Sequence, residues 1–383
     1  MDDPSAMVLD KGGDSFRAGF AGNDAPCEVF PSSCVPPPTS ELRPHTIRAS
    51  MWEKKRSTRV GDDVEATELS GLFQTIRPIQ RGIVVDWEAM EQLYEYTFST
   101  RLRSSPRDHP ILLSEPLLNP KQDKEKHIEL LFETFGGMAL QFADSGLLSL
   151  YSAGRGIGLV LSCGDGVSNV HPIYYGRSLK GAIRRSNIGG QDATEHLRRI
   201  LSEQGVYLPT CHTDAVKQMK EKHCFVAESY KNSLAISSSS AEMKATYLLP
   251  DGQEVTLDSE RFRCMEGLFQ PSLWGMETLG IAEMVLESLS KCNIHLRKDL
   301  ANNIILSGAT TLAPGFPERL RLELEWCLPG SCRVNVVTMP ERRYLAWVGG
   351  SIMASLSSFQ SNWFTKEHYD EYGAAGIHAH RFH

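Results

Sequence analysis

Residues 10–22 read Asp10-Lys11-Gly12-Gly13-Asp14-Ser15-Phe16-Arg17-Ala18-Gly19-Phe20-Ala21-Gly22, a glycine-rich segment that follows a short apolar run. Two further glycine turns read Leu161-Ser162-Cys163-Gly164-Asp165-Gly166-Val167-Ser168-Asn169 and Ile305-Leu306-Ser307-Gly308-Ala309-Thr310-Thr311. The first two predict one arrangement, a strand that leads into a glycine turn beside an aspartate. Glycine lets backbone N–H groups approach a phosphate because no Cβ blocks the way, and an aspartate can hold a divalent cation directly or through water. Two such turns facing each other would hold a nucleotide from both sides.

The bulk composition is typical of a large globular protein. The chain has 383 residues, of which 41% are hydrophobic and 23% are charged, so we expect two or more domains with large cores. The net charge of −7 argues against nucleic acid as a main partner. The nine cysteines lie apart without any C-x-x-C pair, which favours reduced thiols in the cytosol or nucleus. We expect no secretory signal and no membrane span, because no apolar run approaches about eighteen residues.

Strand and helix signals surround the glycine turns. Residues 158–161 lead into the second turn and residues 170–174 return from it, which repeats the strand, turn and strand order near the N-terminus. We therefore predict two related halves, each built on a β-hairpin phosphate loop. Asp86 is placed to cap a helix, and one face of that helix would be apolar. That face carries Met90, Leu93, Tyr94 and Phe98. Residues 237–240, all serine, predict a surface loop.

Several motifs together resemble those of the actin family. They are Ala18-Gly19-Phe20-Ala21-Gly22, Glu115-Pro116-Leu117-Leu118-Asn119-Pro120, Leu148-Ser149-Leu150-Tyr151, Cys163-Gly164-Asp165-Gly166-Val167, Leu249-Pro250-Asp251-Gly252-Gln253, Arg261-Phe262-Arg263-Cys264, Lys298-Asp299-Leu300-Ala301-Asn302 and Trp347-Val348-Gly349-Gly350-Ser351-Ile352. The chain resembles that family in register from Val8 to Phe382. The resemblance implies an α/β, actin-like ATPase fold, in which two related α/β domains, divided into four subdomains, surround a cleft that holds ATP and a divalent cation.

The resemblance also implies domain boundaries. The core of the outer domain would comprise residues 1–38, 76–151 and 345–383, with a small mobile subdomain at 39–75. The core of the inner domain would comprise residues 152–188 and 280–344, with a small subdomain at 189–279. The loop at 46–55 carries charged residues where actins place apolar residues and glycine. We therefore expect altered self-assembly through this loop, with a solvated loop as the alternative.

The positions that contact nucleotide in actins can be carried over residue by residue. They correspond to Gly12, Gly13, Asp14, Arg17, Gly164, Asp165, Gly166, Val167, Gly190, Lys217, Lys220, Glu221, Gly308, Ala309, Thr310 and Arg343. Lys217, Lys220 and Glu221 are spaced as on one helical face, although this pattern also fits a solvated charged helix. Ala313 stands where actins have an aromatic ring near the adenine, and Arg343 stands where they have a lysine. These two changes are expected to weaken ATP binding without abolishing it.

The phosphate end departs from the family pattern. Lys11 and Asp14 stand where actins have asparagine and glycine, so Asp14 would place a carboxylate near the terminal phosphate. Two like charges about 5 Å apart repel by roughly 3 kcal/mol at an effective dielectric of about 20. Lys11 and Arg17 would offset part of this repulsion, or Asp14 would turn into solvent. Asp10 and Asp165 match the metal positions and would hold magnesium weakly, through water.

The groups that support hydrolysis in actins are replaced in this chain. Ser145 stands for the glutamine that orients the attacking water, Ser162 for an aspartate, and Asn169 for a nearby histidine. Arg81 takes the place of the modified histidine of actins. Phosphoryl transfer depends on a positioned water and on balanced charge. We therefore assign no catalytic residue and expect deficient hydrolysis, with neutral drift in a working enzyme as the alternative.

Two predicted contact surfaces also follow from the resemblance. The cleft through which actins bind partners corresponds to Tyr151, Ile352, Met353, Leu356 and Phe359. The alternative is that these are core residues of the C-terminal helices. The segment at 269–276 resembles the hydrophobic plug that bridges filament strands.

The expected function is that of a divergent actin-related cytoskeletal or scaffolding protein of the cytoplasm. It would bind ATP or ADP with magnesium as a structural cofactor and act by protein–protein interaction within a filament or multiprotein complex. Its partners would be actin-like proteins or complex subunits, without direct nucleic-acid or membrane binding. Two alternatives are a conventional filament-forming actin ATPase with an altered site and a subunit of a nuclear chromatin-remodelling assembly.

Overall fold

The computed structural model describes residues 4–35, 59–61, 75–208, 213–239, 243–249 and 252–379. Contacts within the chain divide it into two units. Unit 1 comprises Met1–Leu148 and Ala346–His383, and unit 2 comprises Ser149–Leu345. The further division into four subdomains stays a prediction. Most of the predicted small subdomain at 39–75, including its charged loop, lies outside the described residues.

Unit 1 is built on a mixed six-stranded sheet in the order β18-β9-β8-β1-β2-β3. The strands of this unit are β1 Met7–Lys11, β2 Ser15–Phe20, β3 Glu28–Pro31, β4 Cys34–Val35, β5 Arg59–Val60, β6 Ile79–Gln80, β7 Ile83–Val84, β8 Ile111–Glu115, β9 Ala139–Asp144 and β18 Phe364–Thr365. Strand β1 pairs antiparallel with β2 and parallel with β8, and β8 pairs parallel with β9. The central strand β1 is buried along its whole length, as expected for a strand covered on both faces.

Helices α1 and α2 pack on this sheet through an aromatic core. The helices of this unit are α1 Trp87–Glu95, α2 Lys121–Glu129, α11 Leu345–Ser355 and α12 Lys366–Tyr372, and α3 Ser145–Ser152 contains the unit boundary after Leu148. Helices α1 and α2 continue as π-helical turns at Tyr96–Leu102 and Leu130–Thr134, and 3₁₀ turns lie at Ser357–Asn362 and Ala374–His378. The predicted cap of α1 is confirmed, because Asp86 Oδ1 accepts a hydrogen bond from Ala89 N at 2.9 Å. The predicted apolar face is also buried, and its Tyr94 ring meets Phe16 edge-on at 6.1 Å.

Unit 2 is built on a second six-stranded sheet, in the order β12-β11-β10-β16-β17 with β13 also paired to β11. The strands of this unit are β10 Ile157–Cys163, β11 Ser168–Tyr174, β12 Arg177–Ser178, β13 Arg184–Ser186, β14 Ala245–Leu248, β15 Glu254–Leu257, β16 Ile304–Ser307 and β17 Val336–Val337. Strand β10 pairs antiparallel with β11 and parallel with β16, and β16 pairs parallel with β17. Hairpin β14–β15 forms a separate two-stranded sheet.

The helices of unit 2 enclose one apolar core with this sheet. They are α4 Gly190–Glu203, α5 Thr213–His223, α6 Tyr230–Ser239, α7 Glu260–Glu266, α8 Ile281–Lys291, α9 Ile294–Ala301 and α10 Phe316–Cys327, with 3₁₀ turns at Lys180–Ala182, Pro271–Trp274 and Ala309–Leu312. The surface loop predicted at 237–240 is wrong for residues 237–239, because helix α6 continues to Ser239, and Ser240 lies outside the described residues. The serine hydroxyls are satisfied by carbonyls one turn back, as in Ser238 Oγ to Ala235 O at 2.8 Å, so they do not break the helix.

The two sheets share one internal topology, which confirms the prediction of two related halves. In each, an antiparallel hairpin (β1–β2 or β10–β11) is followed by a strand parallel to its first member (β8 or β16) and then by a further parallel strand (β9 or β17). A parallel strand needs a crossover segment, and both units supply helices between the hairpin and that strand. No helix in the described part of the chain has the length and apolar character needed to cross a membrane.

Candidate functional site

The first glycine turn joins β1 to β2 within unit 1. The last cross-strand pairs are Asp10 with Arg17 and Lys11 with Phe16. The N–H of Gly12 donates to the carbonyl of Ser15 at 3.1 Å, so residues 12–15 form a closed four-residue turn. The charge beside this turn depends on where the side chains at the two strand ends point, namely Asp10, Lys11 and Arg17.

Asp10 is buried and its two carboxylate oxygens have different partners. Arg17 Nη1 donates to Oδ2 at 2.7 Å, and Ser114 Oγ donates to Oδ1 at 2.5 Å. The second nitrogen of the same guanidinium, Nη2, donates to Ser15 Oγ at 2.9 Å. The Arg17 side chain therefore clamps the carboxylate at the strand end to the hydroxyl at the end of the turn. Such charge-assisted contacts are roughly twice as strong as neutral hydrogen bonds.

Lys11 does not contribute its charge to the turn. Its Nζ lies 2.6 Å from His127 Nε2 and 3.6 Å from Asp123 Oδ2, inside unit 1. Burial lowers the pKa of Lys11, and the neighbouring Asp123 carboxylate partly opposes this shift. The expectation that Lys11 offsets the charge of Asp14 is therefore wrong, because the Lys11 side chain is satisfied by α2.

A second hairpin, β6–β7, lies against the first turn. Ile79 O would stand 3.3 Å from a Cβ on Gly13, so only a small side chain would fit there. The β6–β7 turn consists of Arg81 and Gly82, both with positive φ (49° and 76°), as a two-residue type I′ hairpin requires. Asp14 is half-buried, and its carbonyl accepts a hydrogen bond from Ser32 N at 2.9 Å.

The second turn joins β10 to β11 and repeats the geometry of the first within unit 2. The N–H of Gly164 donates to the carbonyl of Val167 at 2.9 Å, the same closure across four residues. Ser162 pairs with Asn169 at the position that Asp10 and Arg17 hold in unit 1. The two turns are therefore equivalent in backbone and differ in charge, since an ion pair flanks the first and a neutral pair flanks the second.

Helix α4 begins directly against the second turn. Gly190 N donates to Gly164 O at 3.0 Å and Gln191 N donates to Asp165 O at 2.8 Å. Asp192 Oδ2 accepts from Gly189 N at 2.8 Å and caps the helix. A Cβ on Gly189 would stand 2.2 Å from Asp165 O. The first N–H groups of α4 therefore bond to the carbonyls of the second turn, and residues 189–190 form a closely packed joint that fixes the position of this turn.

Lys220 on α5 reaches the same joint. Its buried Nζ donates to Gly190 O at 2.7 Å and to Thr194 Oγ1 at 2.8 Å. A Cβ at Gly190 would lie 3.3 Å from Lys220 Nζ, 2.7 Å from Thr310 Oγ1 and 3.7 Å from Asp165 Oδ1. The second turn, α4, α5 and the third glycine loop therefore meet around Gly190.

The third loop follows β16 and docks on the second turn. Thr310 Oγ1 donates to Gly164 O at 2.8 Å. Gly308 has φ of 90°, and a Cβ there would stand 2.3 Å from Cys163 O, so this position requires glycine. The N–H of Gly308 donates to Arg342 O at 2.9 Å.

The remaining predicted nucleotide positions neighbour residues of this assembly along the chain. Lys217 is half-buried one helical turn before Lys220, and Glu221 and Arg343 are exposed. The Arg343 guanidinium lies 5.4 Å from the centroid of the Tyr344 ring. Unit 2 thus brings nine predicted positions together: Gly164, Asp165, Gly166, Val167, Gly190, Lys220, Gly308, Ala309 and Thr310. In unit 1, Gly12, Gly13, Asp14 and Arg17 lie in or beside the first turn.

The three positions at which the catalytic groups of actins are expected to be replaced carry neutral polar side chains. Asn169 is buried, and its Oδ1 has no hydrogen-bond partner among the described residues. Ser162 is half-buried on β10, and Ser145 begins α3. In the described ranges, no group of three or more His, Cys, Asp or Glu residues is arranged to hold a metal ion.

The structure separates the predicted partner residues by exposure. Ile352 on α11 is 44% exposed, and Leu356, which follows the end of α11, is 50% exposed. Met353 and Phe359 are buried in unit 1 and present no surface, and Phe359 packs edge-on against Trp363. Tyr151 is half-buried in unit 2, with its hydroxyl 2.8 Å from the point where a Cβ of Gly176 would stand.

Sequence reasoning missed the buried contacts of Lys11 and the clamp that Arg17 forms. A signal existed for the second, because a basic residue paired across a hairpin from an acidic one favours an ion pair. For Lys11 no local signal existed, since His127 lies 116 residues away along the chain.

Comparison with protein families agrees with this architecture. The family model described as Actin matches residues 1–382 of the chain, and members of this family generally bind nucleotide with a divalent metal. The match spans both units and all three glycine loops. With the repeated hairpin-and-crossover topology, it confirms the resemblance that the motifs predicted, and the chain belongs to the actin family.

Proposed function

We propose that this chain is a structural or scaffolding member of the actin family that binds an adenine nucleotide but hydrolyses it poorly. Support for binding comes from unit 2, where the second turn, α4, Lys220 and the third loop interlock around Gly190. Such an interlocked group costs little to order when a ligand arrives, because its residues are already held by one another. The buried Lys220 adds a positive charge to this group, at a position that the resemblance assigns to the base and ribose.

The observation that carries the claim of poor hydrolysis is the neutral pair Ser162 and Asn169 beside the second turn. A serine hydroxyl does not carry the charge that a cation needs, and an amide does not take up a proton near neutral pH. Ser145, at the start of α3, offers one hydroxyl in place of a longer amide. A water held beside these groups would lack both a charged partner and a base.

Phosphate release tests this proposal. The full chain is incubated with ATP, and conventional filament-forming actin under the same conditions serves as the reference. We expect release at least about a hundredfold slower than the reference, a loss of roughly 3 kcal/mol of transition-state stabilisation. Turnover comparable to the reference would contradict the proposal and favour a working ATPase, which sedimentation after adding salt and magnesium-ATP would test further.

The function would then depend on protein contacts, and α11 offers a candidate. Ile352 on α11 and Leu356, the residue that follows the end of α11, are both exposed, so they mark an apolar face at the C-terminal end of this helix. We propose that this face binds a protein partner in a cytoplasmic filament or complex. Leu356→Asp should remove a co-purifying partner, whereas Ile294→Asp, on a more exposed apolar residue of unit 2, should retain it. Loss with both variants, or with neither, would contradict this assignment.

A further inference from the structure

The carboxylate of Asp10 is already neutralised and occupied within unit 1. One oxygen accepts from the Arg17 guanidinium at 2.7 Å, and the other accepts from Ser114 Oγ at 2.5 Å. The Asp10 and Arg17 side chains are each only 12% exposed. Since the ion pair is this shielded from water, salt screens it little. A metal ion approaching Asp10 would find the Arg17 guanidinium in the position that the metal itself would have to take.

The fork of Arg17 makes this arrangement rigid. Its Nη1 donates to Asp10 and its Nη2 donates to Ser15 Oγ at 2.9 Å. A planar guanidinium held by two partners loses little further freedom when a third group binds. Guanidinium groups also match the geometry of phosphate oxygens. Arg17 can therefore present a fixed guanidinium, paired on one side with Asp10, beside the first turn.

A divalent metal does not fit the first turn as the structure presents it. Magnesium dehydrates reluctantly and usually binds through one or two carboxylates together with phosphates and water. Asp10 is committed to Arg17 and Ser114, and Lys11 is directed away into its contacts with Asp123 and His127. Binding of the metal would have to break the Asp10–Arg17 ion pair, which leaves a buried charge without its partner.

The other candidate carboxylate also has a basic neighbour. In unit 2, Asp165 Oδ1 and Lys220 Nζ lie 3.7 Å and 3.3 Å from the same point, the Cβ position of Gly190. Lys220 is buried and held by Gly190 O and Thr194 Oγ1. Lys220 Nζ and Asp165 Oδ1 are therefore at most about 7 Å apart, so unit 2 also holds a protein cation in the neighbourhood of its candidate carboxylate.

We propose that this chain holds its nucleotide without a divalent cation, and that Arg17 supplies the positive charge that the metal would bring to the phosphates. This inference rests on the proposed nucleotide binding. It replaces the expectation that magnesium binds weakly at Asp10, because the Asp10 carboxylate is already paired with Arg17 inside the protein. It also accords with poor hydrolysis, since a guanidinium fixed to Asp10 does not activate a water as a metal ion does.

The first test compares nucleotide affinity with and without the metal. Calorimetric titration of the full chain with ADP and with ATP is carried out in magnesium chloride and, separately, in EDTA. We expect dissociation constants that differ by less than about threefold between the two conditions. A loss of more than about tenfold in EDTA would overturn the inference while leaving nucleotide binding in place. Failure of both nucleotides to bind in either condition would instead refute the proposed function.

The second test removes the substituting charge. In Arg17→Gln, Asp10 loses its ion pair, so the affinity in EDTA should fall by about tenfold or more and magnesium should restore part of it. The matched control is Lys366→Gln, which removes one positive charge from an exposed ion pair with Asp370 in the same unit and should change neither value. An Arg17→Gln protein that binds as the wild type does in EDTA would overturn the inference. If Arg17→Gln fails to fold, the wild-type comparison in EDTA still tests it.

Discussion

Lys11 Nζ lies 2.6 Å from Nε2 of His127, and both side chains are buried in unit 1. The other ring nitrogen of His127 lies 3.1 Å from the hydroxyl of Tyr94. A lysine ammonium has only donors, so the imidazole must accept at Nε2 and carry its proton at Nδ1. Burial, followed by the charge of Lys11, holds the pKa of His127 well below its usual value of 6.5. The imidazole is therefore neutral at physiological pH, and its tautomer is set by its two neighbours.

This arrangement predicts a loss of stability in mild acid. The unfolded chain binds a proton at this histidine near pH 6.5 and the folded chain does not, so the free energy of unfolding falls as the pH drops below about 6.5, by up to about 1.4 kcal/mol per unit. His196 in unit 2, with a pKa lowered to about 4 by burial and by Arg199 and Arg263, adds a loss of the same sign. Denaturant titrations at about pH 7.5 and about pH 5.5 measure the slope.

His127→Gln tests the assignment of that slope. The variant cannot take up the proton, so its stability should depend less on pH over this range, even if it is less stable throughout. His295→Gln, at an exposed position of α9, serves as the control and should keep the wild-type slope. An unchanged slope in His127→Gln would show that the acid sensitivity arises elsewhere.

Asp123 is expected to be a large contributor to the stability of unit 1. Its Oδ1 accepts from Val84 N at 3.2 Å, its Oδ2 accepts from Asn119 Nδ2 at 2.7 Å, and it lies 3.6 Å from Lys11 Nζ. Asp123→Ala would leave a buried charge and two donors without this acceptor, at a cost of about 3–5 kcal/mol. Asp370→Ala, which breaks the exposed pair with Lys366, should cost less than about 1 kcal/mol. Equal losses in denaturant titrations would contradict this prediction.

A Cβ at Gly308 should destabilise the fold by more than its positive φ alone predicts, because it would contact the Cys163 carbonyl. Gly308 and Gly205 both have positive φ, 90° and 84°, but only Gly308 faces a close neighbour, Cys163 O. Gly205→Ala should therefore cost only the conformational penalty of about 1–2 kcal/mol. Gly308→Ala should cost about 1–3 kcal/mol more, because the third loop must move off the second turn. Thermal unfolding of the two variants measures the difference, and equal midpoints would show that the third loop moves without cost.

Asp14 is predicted to oppose nucleotide binding. Lys11 is directed towards His127 and Asp123, so its charge does not offset that of Asp14. Asp14→Gly should raise affinity for ATP by on the order of a hundredfold at most, the value for a like charge about 5 Å away. Asp24→Gly removes the same charge from an exposed loop of unit 1 and should leave affinity unchanged. Equal affinity in calorimetric titrations of Asp14→Gly and the wild type would mean that Asp14 does not face the phosphates.

Much of the fold follows from local patterns in the chain. The cap at Asp86 and the apolar face of α1 are predicted correctly because capping and helical periodicity act over one or two turns. The two hairpins are predicted correctly for the same reason, since each glycine turn lies between two short apolar strands. The surface loop predicted at 237–240 is wrong for residues 237–239, because side-chain contacts to carbonyls one turn back keep these residues helical.

For the candidate site, the sequence and the tertiary structure each determine different features. Sequence alone established the family and the residue types at each position of the three loops. It left open which partner each charged side chain takes, since these partners lie far apart along the chain: 104 residues separate Asp10 from Ser114, and 116 separate Lys11 from His127. A charge that is brought into a core binds the nearest group that can compensate it. Tertiary packing therefore decided that Lys11 serves the core of unit 1, that Ser114 takes the second oxygen of Asp10, and that Ile352 and Leu356 remain exposed.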